Sequence, residues 1–318
     1  MHSLYLFDPE IAAALAPLVA KGTDVPPIER GDWKALRAHA NANLAYLSTL
    51  NAPTSDDVRT QVLWITVDDG TDIAARLYTR GSERPGSAVV YAHGGGMIAG
   101  NLDLYDGVIA EYVAATGVPF LSVDYRLAPE AQGPRPARDV FGAIQWLSDL
   151  ASEVGVQPDR IAVMGDSGGG GVAASAAIIA RDLGVGLARQ ILIYPMLDDR
   201  TVIADAALEP FLTWTPDMNF TGWSARLGEQ LGGDDVLPAA APARLTNFRG
   251  LAAAYIEVGD LDLFRDESIA YAQRLAAAEV PIELHVYGGA PHGFERFAPS
   301  SALARCALND RLRIIRSF

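Results

Sequence analysis

The sequence predicts an α/β fold, a doubly wound and mostly parallel sheet with helices on both faces. Three observations carry this reading. From residue 87 onward, six short apolar runs alternate with amphipathic stretches. Most of the runs are nearly continuous in apolar residues, as strands covered on both faces are. Two of them end directly in glycine-rich turns.

The elements follow in chain order. The first 50 residues or so read as two helices, about Pro9 to Lys21 and Asp32 to Leu47, split by the breaker Asp24-Val-Pro-Pro. Val62 to Val67 alternates, Asp69-Gly70 supplies a turn, and Ile73 to Thr79 alternates again, which predicts a hairpin. The six apolar runs are Ala88–Ala92, Pro119–Val123, Ile161–Met164, Ile191–Tyr194, Ala253–Val258 and Ile282–Val286. Helices are expected near 105–116, 136–154, 168–183, 266–279 and 299–315. Residues 200 to 248 are too long for a simple connection and carry Phe211, Trp214, Phe220 and Trp223. An insertion of that length predicts a lid or binding loop.

Composition narrows the function. Of 318 residues, half are hydrophobic and 20% charged, too apolar for disorder. A chain of this length buries about three quarters of its unfolded surface, so its core needs no disulfide or metal staple. Against 25 Lys and Arg stand 39 Asp and Glu, a net charge of −14. That balance argues against nucleic acid and against an anionic membrane surface. The one cysteine, Cys306, allows no internal disulfide and no Cys-based metal site, a usage that suits a reducing cytosol. The N-terminal stretch lacks a basic signal region, and no run reaches the roughly 18 apolar residues of a membrane span. The expectation is a soluble, cytoplasmic protein with no membrane span.

The sharpest motif is Gly165-Asp166-Ser167-Gly168-Gly169, straight after the run Ile161–Met164 and leading into an Ala-rich helix. A strand turning that abruptly into a helix lifts its middle residue into a strained, exposed position. Ser167 would sit at the helix N-terminus, where free N–H groups favour developing negative charge. No Lys follows as in a phosphate-binding Walker motif. The second motif is His93-Gly94-Gly95-Gly96 after Ala88–Ala92. Three glycines leave backbone N–H groups uncovered, as donors for an oxyanion must be.

A serine nucleophile needs a base. Of five histidines, His2 is terminal, His39 lies in a predicted helix, His285 lies inside the last strand, and His93 belongs to the glycine loop it braces. His292 remains, in the loop Gly288-Gly-Ala-Pro-His-Gly-Phe past the last strand. Strand-end loops gather where ligands bind in such sheets. Asp260, Asp262 and Asp266 follow the run ending at Val258 and compete as the carboxylate that orients the base. Asp266 suits the cap of the next helix. Spacing alone does not separate Asp260 from Asp262.

These residues resemble the bacterial hormone-sensitive-lipase-like (family IV) esterases of the α/β-hydrolase fold. The likeness rests on HGGG at 93–96, Asp124-Tyr-Arg-Leu-Ala-Pro-Glu130, the Ser167 motif, Asp262-Leu-Phe-Arg-Asp-Glu267 and His292-Gly-Phe294, all in the family's order. It implies Ser167 as nucleophile, His292 as general base and acid, and Asp262 rather than Asp260 as the triad acid. It implies an oxyanion hole of Gly94, Gly95 and the N–H of Gly168. Residues 51–199 and 249–318 would form the catalytic core, with 1–50 and 200–248 as two parts of a helical cap. Met97, Phe211 and Trp214 are expected to line the substrate pocket. The chain departs from many relatives in having Gly168 where Ala is common, and Met97 where an aromatic is common.

The implied activity is hydrolysis of short-chain carboxylic esters through an acyl-enzyme, with no metal or organic cofactor and a small-molecule ester as partner. An amidase, a lactonase or a deacetylase would use the same machinery. A non-catalytic receptor, as the plant gibberellin receptors are, loses the triad His, whereas His292 stands here. Homodimers are common among relatives, with an edge strand or the last helix as contact. Activity is expected to rise with pH as His292 deprotonates near its ordinary value of about 6.5. Asp198-Asp199-Arg200 reads as an ion-paired turn, Cys306 as a packed residue, and Tyr125 to Glu130 as a bracket for the glycine loop, with Arg126 or Glu130 as supporting groups.

Overall fold

A computed structural model describes residues 4–22, 28–50, 57–81 and 85–318. The predicted breaker Asp24-Val-Pro-Pro and His2 lie outside the described residues. Two helices come first, α1 (Pro9–Gly22) and α2 (Trp33–Leu50), within a residue or three of the expected bounds. Strands β1 (Val58–Thr66) and β2 (Asp72–Arg80) pair antiparallel around Asp69-Gly70, with Gly70 at φ 80°.

Every apolar run is a strand: β3 (Gly86–Ala92), β4 (Phe120–Val123), β5 (Val156–Asp166), β6 (Arg189–Ile193), β7 (Ala254–Gly259) and β8 (Ile282–Tyr287). The eight strands form one sheet in the order β1-β2-β4-β3-β5-β6-β7-β8. From β4 to β8 all neighbours are parallel, and the hairpin adds the antiparallel edge. β3, β4 and β7 are buried throughout, as continuous apolar runs require. β8 is not, because it is an edge: Leu284 and Val286 are exposed.

The crossovers are α3 (Leu102–Thr116), α4 (Arg135–Asp149) with a short α5 (Ala151–Val154), α6 (Ser167–Asp182) and α8 (Arg265–Ala277). One helix was expected over 136–154; it breaks at Leu150, which leaves the helical region. α6 is buried from Ser167 to Ala180, so it must be apolar on all sides, and its Gly and Ala residues let it lie close to the sheet. Residues 200–248 contain α7 (Pro216–Leu227), capped by the Thr215 side chain. α7 joins the N-terminal stretch through Gly31 N–H to Thr221 Oγ1 (2.9 Å) and Arg30 to Asp217 (2.9 Å). After β8 come α9 (Phe294–Phe297) and α10 (Ala302–Ile315). Cys306 on α10 is exposed rather than packed, since it falls on the outer face of that helix. Among the described residues, no helix is long and apolar enough to cross a membrane.

Candidate active site

The parallel strands all point their carboxyl ends the same way, and three of those ends supply the site. Ser167 follows β5 directly and is the first residue of α6, at φ 54°, a left-handed conformation costly for a side chain with a Cβ. That turn lifts Oγ to within 2.9 Å of His292 Nε2. His292 Nδ1 is 2.8 Å from Asp262 Oδ2, and Asp262 is fully buried. With Nδ1–H donating to the carboxylate, Nε2 is left as the acceptor facing the serine hydroxyl. Asp262 Oδ1 also accepts the Phe264 N–H at 2.9 Å, which fixes the carboxylate.

The two other acids have different work. Asp260 Oδ1 accepts the Gly289 N–H at 2.7 Å and so anchors the His292 loop. Asp266 does not cap α8; it is the second residue of that helix and pairs with Arg265, while Phe264 occupies the cap position. The imidazole is flanked edge-on by Tyr194 (4.7 Å) and Phe264 (5.0 Å). Burial opposes charge on His292, but the Asp262 carboxylate outweighs it and raises the pKa above the ordinary value.

The glycine loop is built from below. Tyr125 stacks on His93 at 4.5 Å, and its hydroxyl donates to the His93 carbonyl at 2.7 Å. His93 Nδ1 lies 2.9 Å from the Gly94 carbonyl, and burial lowers its pKa, so it braces the loop as a neutral ring. The Gly94 N–H donates to Tyr105 Oη at 3.0 Å. That commitment corrects the expectation for Gly94: its donor is spent inside the protein and does not face Ser167. No protein acceptor takes the N–H of Gly95 or Gly96 among the described residues. Gly168 lies against this turn so closely that an added Cβ would stand 2.6 Å from Met97 N.

Behind both loops, Asp166 ties them together. Its carboxylate accepts hydroxyl hydrogens from Tyr91 and Tyr105, each at 2.7 Å. Neither tyrosine was anticipated; the signal was a hydroxyl inside the apolar run Ala88–Ala92, since a buried Tyr hydroxyl demands a partner. The bracket 125–130 is ion-paired: Arg126 to Asp139 (2.6 Å) and Asp69 (2.9 Å), Glu130 to Arg37 (2.6 Å). Glu267 was also missed. It is buried, accepts Leu197 N–H (2.6 Å) and Thr201 Oγ1–H (2.5 Å), and burial drives its pKa well up.

The expected pocket residues divide. Trp214 covers the glycine turn, with Cη2 only 2.7 Å from where a Cβ on Gly96 would stand, and its Nε1–H donates to Asn219 Oδ1 at 3.2 Å. Phe211 meets Phe7 edge-on at 5.0 Å. Met97 corrects the expectation: it is fully buried, its thioether against Arg226 Nη1, and it offers no open surface. Trp223 is core, and Phe220 carries Arg30 on its face. Asp198 pairs with Arg200 and Asp199 with Arg244. Among the described residues, the side chains able to share a metal are Glu283, His285 and Asp310 at the β8 edge, where Arg313 already pairs with both acids.

Comparison with known proteins agrees with this geometry. Residues 89–296 match the family described as alpha/beta hydrolase fold. Esterase LipI of Mycobacterium tuberculosis is 37% identical over 251 residues, 77% of this chain and 78% of that protein. Carboxylesterase NlhH of the same organism is 35% identical over 253 residues, covering 76% and 77%. The solved structure titled Bacterial Heroin Esterase superposes with a TM-score of 0.86 at 33% identity, covering 98% of this chain and 97% of that one. The chain belongs to the α/β-hydrolase fold family, among its hormone-sensitive-lipase-like carboxylic ester hydrolases.

Proposed function

We propose that this protein hydrolyses short-chain carboxylic esters through a Ser167–His292–Asp262 triad and an acyl-enzyme. The observation that carries this reading is the unbroken line from Asp262 through His292 to Ser167, at 2.8 and 2.9 Å. Ser167 Oγ attacks the ester carbonyl while His292 Nε2 takes its proton. Asp262 holds the imidazole tautomer and stabilises the imidazolium. The oxyanion is received by the N–H groups of Gly95, Gly96 and Gly168, Gly96 replacing Gly94 because the Gly94 donor is engaged by Tyr105. His292 then protonates the leaving alcohol. A water, activated by the same base, releases the acid.

Residues 200–248 and the N-terminal helices act in this reading as a cap over the core. Support comes from Thr213, whose hydroxyl donates to the His292 carbonyl at 2.8 Å, and from Trp214 over Gly96. A wall over the glycine turn favours small acyl groups, from acetyl to about hexanoyl. The test is a panel of esters graded in acyl length, assayed with the purified protein and with Ser167→Ala. Turnover that falls with acyl length and vanishes in Ser167→Ala is expected. Undiminished turnover by Ser167→Ala would refute the mechanism.

A further inference from the structure

We propose that Glu295 is a positioning residue for His292, setting its proton affinity from a buried charge network that reaches the last helix; this rests on the triad reading above. Glu295 lies three residues after His292, at the second position of α9. Its Oε1 accepts the Tyr194 hydroxyl at 2.5 Å and pairs with Arg311 Nη2 at 3.1 Å. Tyr194 in turn packs its ring on the imidazole. Glu295 Oε2 is buried and takes no hydrogen bond among the described residues.

Arg311, on α10, is 3% exposed and does not need Glu295 for its own compensation. Its fork already donates to Glu257 Oε1 from Nε (3.0 Å) and from Nη2 (2.5 Å), and to Tyr112 Oη from Nη1 (3.1 Å). Glu257 Oε2 is satisfied by the Tyr255 hydroxyl at 2.7 Å. Arg311 is thus shared between two buried carboxylates, and buried Arg296 adds a second positive charge beside Glu295. A second buried acid with an open oxygen is costly to keep unless its charge is used.

The groups around the imidazole show what that use is. Asp262 faces it from the β7–α8 loop, Ser167 and Asp166 from the β5–α6 turn, and Tyr194 from the end of β6. Arg311 on α10 and Arg296 on α9 act on Glu295 itself, with Glu257 on β7 and Tyr112 on α3 against Arg311, and Tyr105 on α3 against Arg296. Burial pushes the Glu257 carboxyl up; it opposes charge on Glu295 too, but Arg311 and Tyr194 hold Glu295 below its usual range. Glu295 is thus held as a carboxylate, and in a dry interior its field reaches the imidazolium that forms when Ser167 attacks.

The experiment is the pH profile of kcat/KM for the whole protein and its variants. Glu295→Gln is expected to move the acid limb down by about half a pH unit or more, because the imidazolium loses a stabilising charge. Tyr194→Phe keeps the carboxylate but removes one hydroxyl that helps hold its charge, and moves the limb less than Glu295→Gln does. Glu295→Asp restores most of the shift, and Asp182→Asn, an exposed acid at the end of α6, moves nothing. Should Glu295→Gln fail to fold, Glu295→Met removes the same charge with an apolar replacement. Coincident limbs for Glu295→Gln and the parent, or equal shifts in Tyr194→Phe, would overturn the proposal. Activity surviving in Ser167→Ala would instead overturn the triad reading beneath it.

Discussion

The strand-end loops that carry Ser167, Asp262 and His292 are fastened differently from residues 201–215, the stretch proposed to cover them. The loops are locked by buried backbone bonds: Met196 N–H to the Ser167 carbonyl (2.9 Å), Leu261 N–H to the Ala290 carbonyl (3.1 Å). Asp262 bonds both His292 and the Phe264 N–H and has no exposed surface. Residues 201–215 hold to the core through side-chain bonds from Thr213 to the His292 carbonyl and from Thr201 to Glu267, while Trp214 bonds to Asn219 within the same insertion. The ion pair from Arg30 to Asp217 is exposed on both sides, and such pairs add little. In the proposed reading, chemistry is built on the part with more buried bonds and substrate selection on the part with fewer restraints. Evolution can change the second without disturbing the first.

The widest separation between the two regions is expected from Asp262→Asn. It leaves the fold intact but favours the wrong tautomer of His292, so kcat falls by roughly 10³- to 10⁴-fold while KM changes little. Steady-state kinetics at saturating short-chain ester checks this. Next comes Tyr105→Phe, which strands the Gly94 N–H and frees one oxygen of Asp166. A slackened glycine turn should cost roughly 10- to 100-fold in kcat with a smaller change in KM. Equal losses in kcat and in thermal stability, without a change in the affinity of an oxyanion-forming inhibitor, would make Tyr105 a core residue only.

A smaller effect is expected in the cap. Trp214→Ala opens the wall over Gly96 and should raise the relative rate on longer acyl chains by roughly tenfold, while kcat on an acetyl ester stays within a fewfold. An acyl-length series reads it directly. Last is pH. His292 must be neutral to act as base, and its pKa is raised in the folded protein. The kcat/KM profile should therefore rise with pH and pass its midpoint above about 6.5. The same shift favours the folded state most where His292 is protonated. That contribution is present in full below about 6.5 and is lost as pH rises through the raised folded value.

Much of this was legible in the residues. Continuous apolar runs announced the parallel strands, and alternation around Asp69-Gly70 announced the hairpin. Ser167 and His292, which lie 2.9 Å apart, are singled out in the sequence by residue type and by place relative to strand ends. Asp262 needed the family likeness, because Asp260 has the same spacing and only the packed loop shows it holding Gly289. Gly94 misled because three glycines look alike in sequence; which N–H is free depends on Tyr105, eleven residues on and folded back beneath the turn. Cys306 and Met97 failed for a related reason. Apolarity predicts burial in general, but not which face of α10 turns outward or that Arg226 would fill the space beside Met97. Glu267 stands in the 262–267 motif without a role of its own there, and the partners of Glu267 and Glu295 lie far along the chain.

The position of Cys306 has a practical consequence. It is the sole thiol of the chain and lies exposed on α10, five residues before Arg311. A maleimide dye or spin label would therefore attach at one defined place, with no engineered cysteine and no competing site. Such a probe would report on the helix that anchors the charge network while leaving Ser167 free to turn over substrate.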